Sequence, residues 1–149
     1  MIRRTLILLL LAVAASAQPE PQADLPWTTL PGAFADAAAT DRPIVVYAHA
    51  DWCAPCHRIE QTTFAAAAVR ARFERFVLAR LDLDDRDSKQ QVGPYRLSPA
   101  AWAGRLGVEA PPSLVLLAPD GAVLGRVTGF LEPDALLPIL DAALSDAQS

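Results

Sequence analysis

The chain has 149 residues, with 13 basic and 17 acidic side chains and a formal charge of −4. That length suits one domain able to bury a self-sufficient core. The acidic balance leaves no basic stripe to neutralise phosphates, which excludes nucleic acid as an expected partner.

Residues 1–17 read as a signal peptide. Arg3 and Arg4 form a basic n-region, residues 6–15 are apolar, and Ala15-Ser16-Ala17 is a small-x-small cleavage site. The apolar run is too short to span a bilayer comfortably, so no stable membrane insertion is expected after cleavage. Losing Arg3 and Arg4 takes the 13 basic residues to 11 against 17 acidic, a charge of −6. The expected location is outside the cytoplasm, in the periplasm if the source is Gram-negative. Such compartments are oxidising and favour structural disulfides. Yet the chain has only 2 cysteines, Cys53 and Cys56. A bridge across two intervening residues constrains almost no chain entropy, so the pair is there for chemistry.

Residues 18–26, with Pro19, Pro21 and Pro26, form a proline-rich linker, and residues 27–149 form the folded domain. Residues 27–30 supply a short edge strand or simply pack Trp27 on the core. A helix is expected over 31–40, then a turn at Asp41-Arg42-Pro43. The β-branched run 44–48 reads as a buried strand. Asp51 is a fair N-cap for a helix that carries Cys53 in its first turn and continues through 58–64. Thr62-Thr63 marks a kink or a fresh start, after which 65–75 continues helically with Val69, Phe73 and Phe76 at burial spacing. A strand follows at 77–83. The Asp82, Asp84, Asp85 and Asp87 cluster lacks the glycine and the bidentate glutamate of a calcium loop and reads as a solvated strand end. Residues 88–97 read as irregular. Ser98-Pro99 starts a helix over 100–106 that carries a core Trp102. A hairpin of strands 114–117 and 123–128 turns at Pro119-Asp120-Gly121, and a last helix runs from Glu132 to 144 with a kink expected at Pro138. The order, a helical lead-in and then β-α-β-α-β-β-α, is that of an α/β domain with a central mixed sheet flanked by helices.

A strand that ends in Asp51-Trp52-Cys53-Ala54-Pro55-Cys56 and runs into a helix puts a thiol at a helix N-terminus. There the partial positive charge and unpaired N–H groups favour a thiolate. A second thiol three residues on is within reach of a disulfide, which is the minimum equipment for thiol–disulfide exchange. Cys53, nearer the helix N-terminus and the surface, is the expected nucleophile. Cys56, one turn deeper, is the expected resolving thiol.

These residues resemble the active-site segment of the thioredoxin superfamily. The longer run through Glu60 and Thr63-Phe64 is similar to the C-terminal reductase domain of DsbD and related exported thioredoxin-like proteins. The resemblance implies a thioredoxin-like fold and a protein-disulfide reductase with no cofactor beyond the Cys53–Cys56 couple. It also implies protein disulfide clients and a membrane thiol–disulfide shuttle as electron source. Trp52, Pro55, Pro111 and Pro112 would face the substrate. Pro112 would be cis, with the adjoining backbone pairing with an extended client. Pro111 departs from the family pattern, because proline has no N–H to donate there. Tyr47 stands where thioredoxins keep a buried aspartate.

Two residues keep two readings. Glu60, four residues after Cys56, is acidic in DsbD-like domains too; it is either the base that takes the Cys56 proton or a solvated helix charge. His57, four residues after Cys53, either sets a cation beside the thiolate or points to solvent. His49 reads as packing. Zinc is not expected, because Cys56 and His57 adjoin and the spacing fits no common finger. The alternatives to a general reductase are a reductase dedicated to apocytochrome or another single client, a chaperone-like binding module, and a c-type haem protein using Cys53-Ala54-Pro55-Cys56-His57 as C-x-x-C-H. Haem would need a second axial ligand, and His49 is the one candidate left after Met1 is removed with the signal.

Overall fold

In the computed structural model, which describes residues 24–149, the apolar run becomes strand β1, Ile44–His49, buried along its whole length. The expected signal peptide and most of the linker lie outside the described residues. A strand with no polar alternation must be covered on both faces, and β1 is. Val45 and Tyr47 enter one apolar cluster, Ile44 and Val46 the other.

Before β1 comes helix α1, Leu30–Thr40, capped by the Thr29 side chain, which accepts the Gly32 N–H at 3.2 Å. After β1 come α2, Ala54–Gln61, α3, Ala67–Phe73, and strand β2, Val77–Asp82. A small hairpin follows, β3, Gln90–Val92, and β4, Tyr95–Leu97. Helix α4, Pro99–Arg105, strands β5, Ser113–Leu117, and β6, Val123–Thr128, and helix α5, Pro133–Asp146, complete the chain. The main sheet has the order β2-β1-β5-β6. β1 runs parallel to β2, with Tyr47 opposite Arg80 and His49 opposite Asp82. It runs antiparallel to β5, with Ala48 opposite Ser113. One sheet face packs residues of α2, α3 and α5, including Ile59, Phe73 and Leu140; the other packs Leu30, Ala33 and Ala37 of α1 and Trp102 of α4. The expected α/β architecture with a mixed sheet is the observed one.

Of the two readings of residues 27–30, core packing holds: Thr28 makes a single parallel bridge to Ala79, and Trp27 packs its ring 5.5 Å from Tyr47 and 5.8 Å from Phe64. Three expectations need correction. The stretch 88–97 is not irregular but holds the β3–β4 hairpin, turning at Gly93 with φ 56°. Its signal is short and polar, and distant groups anchor it. Gln90 accepts from Leu30 N–H through its side chain and from Trp102 Nε1 through its carbonyl. Asp51 is not the cap of α2, because the Cys53 sulphur accepts the Cys56 N–H at 3.2 Å and Cys53 itself takes that position. Finally α3 starts at Ala67 rather than 65, because the Phe64 and Ala66 N–H groups close a turn onto Ile59 and Thr63. Ser98 caps α4 as expected, and Trp102 is core. Helix α5 runs on through Pro138.

Candidate active site

The loop from β1 to α2 folds tightly, with Cys53 N–H donating to the Ala50 carbonyl at 3.2 Å. Pro55 sits in the first turn of α2, where its missing N–H costs no intrahelical bond. Cys53 and Cys56 are joined in a disulfide with Cα atoms 5.2 Å apart. Both residues are buried, 2% and 1% exposed, so exposure barely distinguishes Cys53 from Cys56. The tight loop and the sheet end enclose both, while Trp52 projects outward, 70% exposed, with its Nε1 donating to Asp84 Oδ1 at 2.9 Å. What still separates the cysteines is position: Cys53 stands at the helix cap, where its sulphur accepts the Cys56 N–H and meets the positive end of the helix.

Pro112 directly precedes β5, and Ser113 pairs with Ala48, which places the Pro111-Pro112 loop at the same sheet end as the cysteine loop. The Pro111–Pro112 peptide bond is cis, as the resemblance implies. Pro112 is buried and its carbonyl accepts the Gly129 N–H at 2.8 Å; Pro111 is half-buried.

Glu60 is held in place. Its Oε1 accepts from Tyr47 Oη and from Arg80 Nη2, each at 3.0 Å, and its side chain is 31% exposed. Tyr47 Oη also lies 3.5 Å from the Cys56 carbonyl, so one hydroxyl touches both the carboxylate and the backbone of the second cysteine. Burial, reinforced by the Glu60 charge, pushes the Tyr47 phenol far above its ordinary range, and it stays a hydrogen-bond donor. The freely solvated reading of Glu60 does not describe its surroundings.

His57 is exposed, and its Nε2 lies 2.8 Å from the Asp51 carbonyl, its hydrogen-bond partner in place of a sulphur. His49 is buried and stacked on Tyr47, with Nδ1 3.4 Å from Arg80 Nη2. Burial first, and Arg80 next, hold its pKa below the usual 6.5. Arg80 is the residue that sequence reasoning passed over. It stands in a buried strand on the face of Tyr47, and an arginine there signals a polar partner. Its Nε is a buried donor without a hydrogen-bond partner among the described residues. Among the described residues no group of three or more His, Cys, Asp or Glu is placed to hold a metal ion. No helix among them is long and apolar enough to cross a membrane.

A sulphur pair at a helix N-terminus, a cis-proline at the same sheet end and a carboxylate tethered beneath are the parts from which a dithiol exchange site can be built. Comparison with known proteins agrees with this geometry. The thiol:disulfide interchange protein DsbD of Ralstonia nicotianae is 32% identical over 116 residues, 76% of this chain. The chain spans 17% of that relative's length. A thioredoxin from Thermus thermophilus superposes with a TM-score of 0.63 at 28% identity, covering 77% of this chain and 83% of that one. The oxidised C-terminal domain of DsbD from Neisseria meningitidis shares the fold, with a TM-score of 0.58, 20% identity and coverage of 74% and 88%. The sequence pattern of the thioredoxin-like domain matches residues 30–144, and the chain belongs to that family.

Proposed function

We propose that this chain is an exported thiol–disulfide oxidoreductase that reduces protein disulfides through the Cys53–Cys56 couple. The observation that carries this reading is the disulfide itself, set at the N-terminus of α2 with no other cysteine in the chain to compete for it. In the reduced protein the Cys53 thiolate attacks one sulphur of a client disulfide. The client bond breaks, and a Cys53–client disulfide forms. Glu60 takes the proton of Cys56, whose thiolate attacks the Cys53 sulphur. The Cys53–Cys56 bond forms, and the second client sulphur leaves as a thiolate that picks up a proton. Two electrons pass from the pair to the client. Trp52, Pro55, Pro111 and Pro112 border the site where the client sits. His57 braces the loop through Asp51.

The relatives named for thiol:disulfide interchange support the same reaction class. Reduction in an oxidising compartment needs an electron donor, for which a membrane thiol–disulfide shuttle is the proposed partner. A reductase for apocytochrome or another single client is the second reading, and Pro111 favours it. Without an N–H at that position the loop offers an extended client one donor fewer, which weakens general peptide capture. A haem reading leaves the cis Pro111–Pro112 loop unexplained, and a binding module would leave the couple unused.

Trapping tests the proposal. With Cys56→Ala, covalent client adducts that collapse on reduction accumulate in the exported fraction, and with Cys53→Ala none do. The wild type reduces insulin disulfides. No adducts and no insulin reduction would leave the binding-module reading standing.

A further inference from the structure

We propose that Trp52, with Asp51 and Asp84, forms a subsite for a basic side chain, so that the preferred client carries arginine or lysine beside its reactive cysteine. This rests on the reading of Cys53–Cys56 as the exchange couple, and adds the chemistry of the client that the couple takes. Trp52 directly precedes Cys53, so a client bonded to that sulphur lies against it. At 70% it is the most exposed large apolar side chain among the described residues. The ring is also fixed. Its Nε1 donates to Asp84 Oδ1 at 2.9 Å, and the Asp84 N–H in turn donates to Asp82 Oδ1 at 2.9 Å. The indole N–H is therefore already spent, and what remains to recognise a client is the π face.

An aromatic face attracts cations, and that of tryptophan does so best. Elsewhere the chain fills such faces itself. Arg58 lies 3.9 Å over Phe130, Arg105 3.6 Å over Tyr95, and Arg80 5.7 Å from the centre of Tyr47. Among the described residues no cation stacks on Trp52. The two carboxylates beside it complete the fit. Only Oδ1 of Asp84 is held by the indole, and Asp51 gives its carbonyl to His57 while its carboxylate makes no hydrogen bond or ion pair among the described residues. Asp85 differs, because Ser88 occupies both of its oxygens and the Lys89 charge acts on it. A guanidinium or ammonium laid on the ring thus has carboxylates to pair with and no internal cation to displace. A client carboxylate meets the same two charges and is repelled. The chain's excess of acid, 17 residues against 13 basic, acts in the same direction over longer range.

The test uses three peptides, each with one cysteine flanked on both sides by arginine, glutamine or glutamate and joined through its sulphur to 5-thio-2-nitrobenzoate. The Cys53 thiolate of the reduced protein attacks the peptide sulphur. The peptide–nitrobenzoate S–S bond breaks, a Cys53–peptide disulfide forms, and the coloured thiolate leaves with the electron pair; its release is followed by stopped flow. At low salt the arginine peptide reacts about tenfold faster than the glutamine peptide, as one exposed cation–π contact with one or two surface ion pairs implies. The glutamate peptide is slower still. Asp51→Asn with Asp84→Asn, which keeps an oxygen for the indole N–H, brings the arginine-to-glutamine ratio down to about threefold or less. Should that pair fail to fold, each single variant lowers the ratio in part. Trp52→Leu lowers it too, and Trp52→Phe, which keeps an aromatic face, lowers it less. Asp41→Asn with Asp146→Asn makes the same charge change at the opposite end of the sheet and keeps the wild-type ratio. No arginine preference in the wild type overturns the subsite, as does a preference that the Trp52 and Asp51/Asp84 variants leave intact. No release from any of the peptides overturns the exchange reading itself.

Discussion

Tyr47 and Glu60 are joined across the β1–α2 interface by a 3.0 Å hydrogen bond, and the same Tyr47 hydroxyl lies 3.5 Å from the carbonyl of Cys56. The strand position that holds a carboxylate in thioredoxins by resemblance holds a phenol here, and the carboxylate arrives from the helix. Because burial keeps Tyr47 protonated, the phenol positions Glu60 and does not replace it as a base. A hydrogen bond to a charged group is worth roughly 1.5–3 kcal/mol. Arg80 still holds the carboxylate when that bond is lost, so the effect on rate is partial.

Tyr47→Phe is therefore expected to slow resolution by about tenfold, near 1.4 kcal/mol of barrier, with attack by Cys53 unchanged. Stopped-flow separation of the two steps is the measurement. If Tyr47→Phe resolves at the wild-type rate while Glu60→Ala is slow, Arg80 alone positions the carboxylate.

His49 gives the fold an acid-sensitive component. Its folded pKa lies below the unfolded value of about 6.5 because of burial and Arg80, with Asp82, Glu60 and Asp51 opposing. Between the lowered folded value and 6.5 the unfolded chain binds more protons at this residue, so stability rises with pH there. Above 6.5 the difference vanishes; as pH falls below 6.5 stability is lost. Protonation also removes the Nδ1 lone pair that faces Arg80 Nη2. His49→Gln keeps an acceptor but does not titrate, so its melting temperature should fall less than the wild type's between about pH 7 and pH 5. Parallel curves for the two proteins would show that His49 carries none of the acid sensitivity.

Pro138 sits exposed in the interior of α5, where it supplies no N–H for the Asp134 carbonyl. Proline in a helix interior costs about 3 kcal/mol relative to alanine. Alanine gives back up to ~1 kcal/mol through a freer unfolded chain. Pro138→Ala should stabilise the protein by roughly 2 kcal/mol on these two figures, read as a higher urea midpoint at unchanged slope. A lower midpoint would mean that the proline ring makes a packing contribution larger than the bond it forgoes.

Much was legible in the chain order alone, where the signal is local and periodic. The run at 44–48 declared a strand buried on both faces, and Ser98-Pro99 declared a helix start through cap chemistry that acts within four residues. The cysteine pair, with its tryptophan and proline at a strand–helix junction, pointed to exchange chemistry without any contact map. Tertiary structure decided what depends on groups far apart in sequence. The β3–β4 hairpin has too little apolar alternation to announce itself and is held by Leu30 and Trp102. The equal burial of Cys53 and Cys56 follows from how the loop closes on the sheet end, and helical position alone does not carry that information. Glu60 was undecided between base and surface charge because a helix sets the face a side chain occupies and leaves open what stands opposite. Parallel pairing of β1 with β2 brought Arg80 beside Tyr47, and α2 packing on that face brought Glu60 onto both.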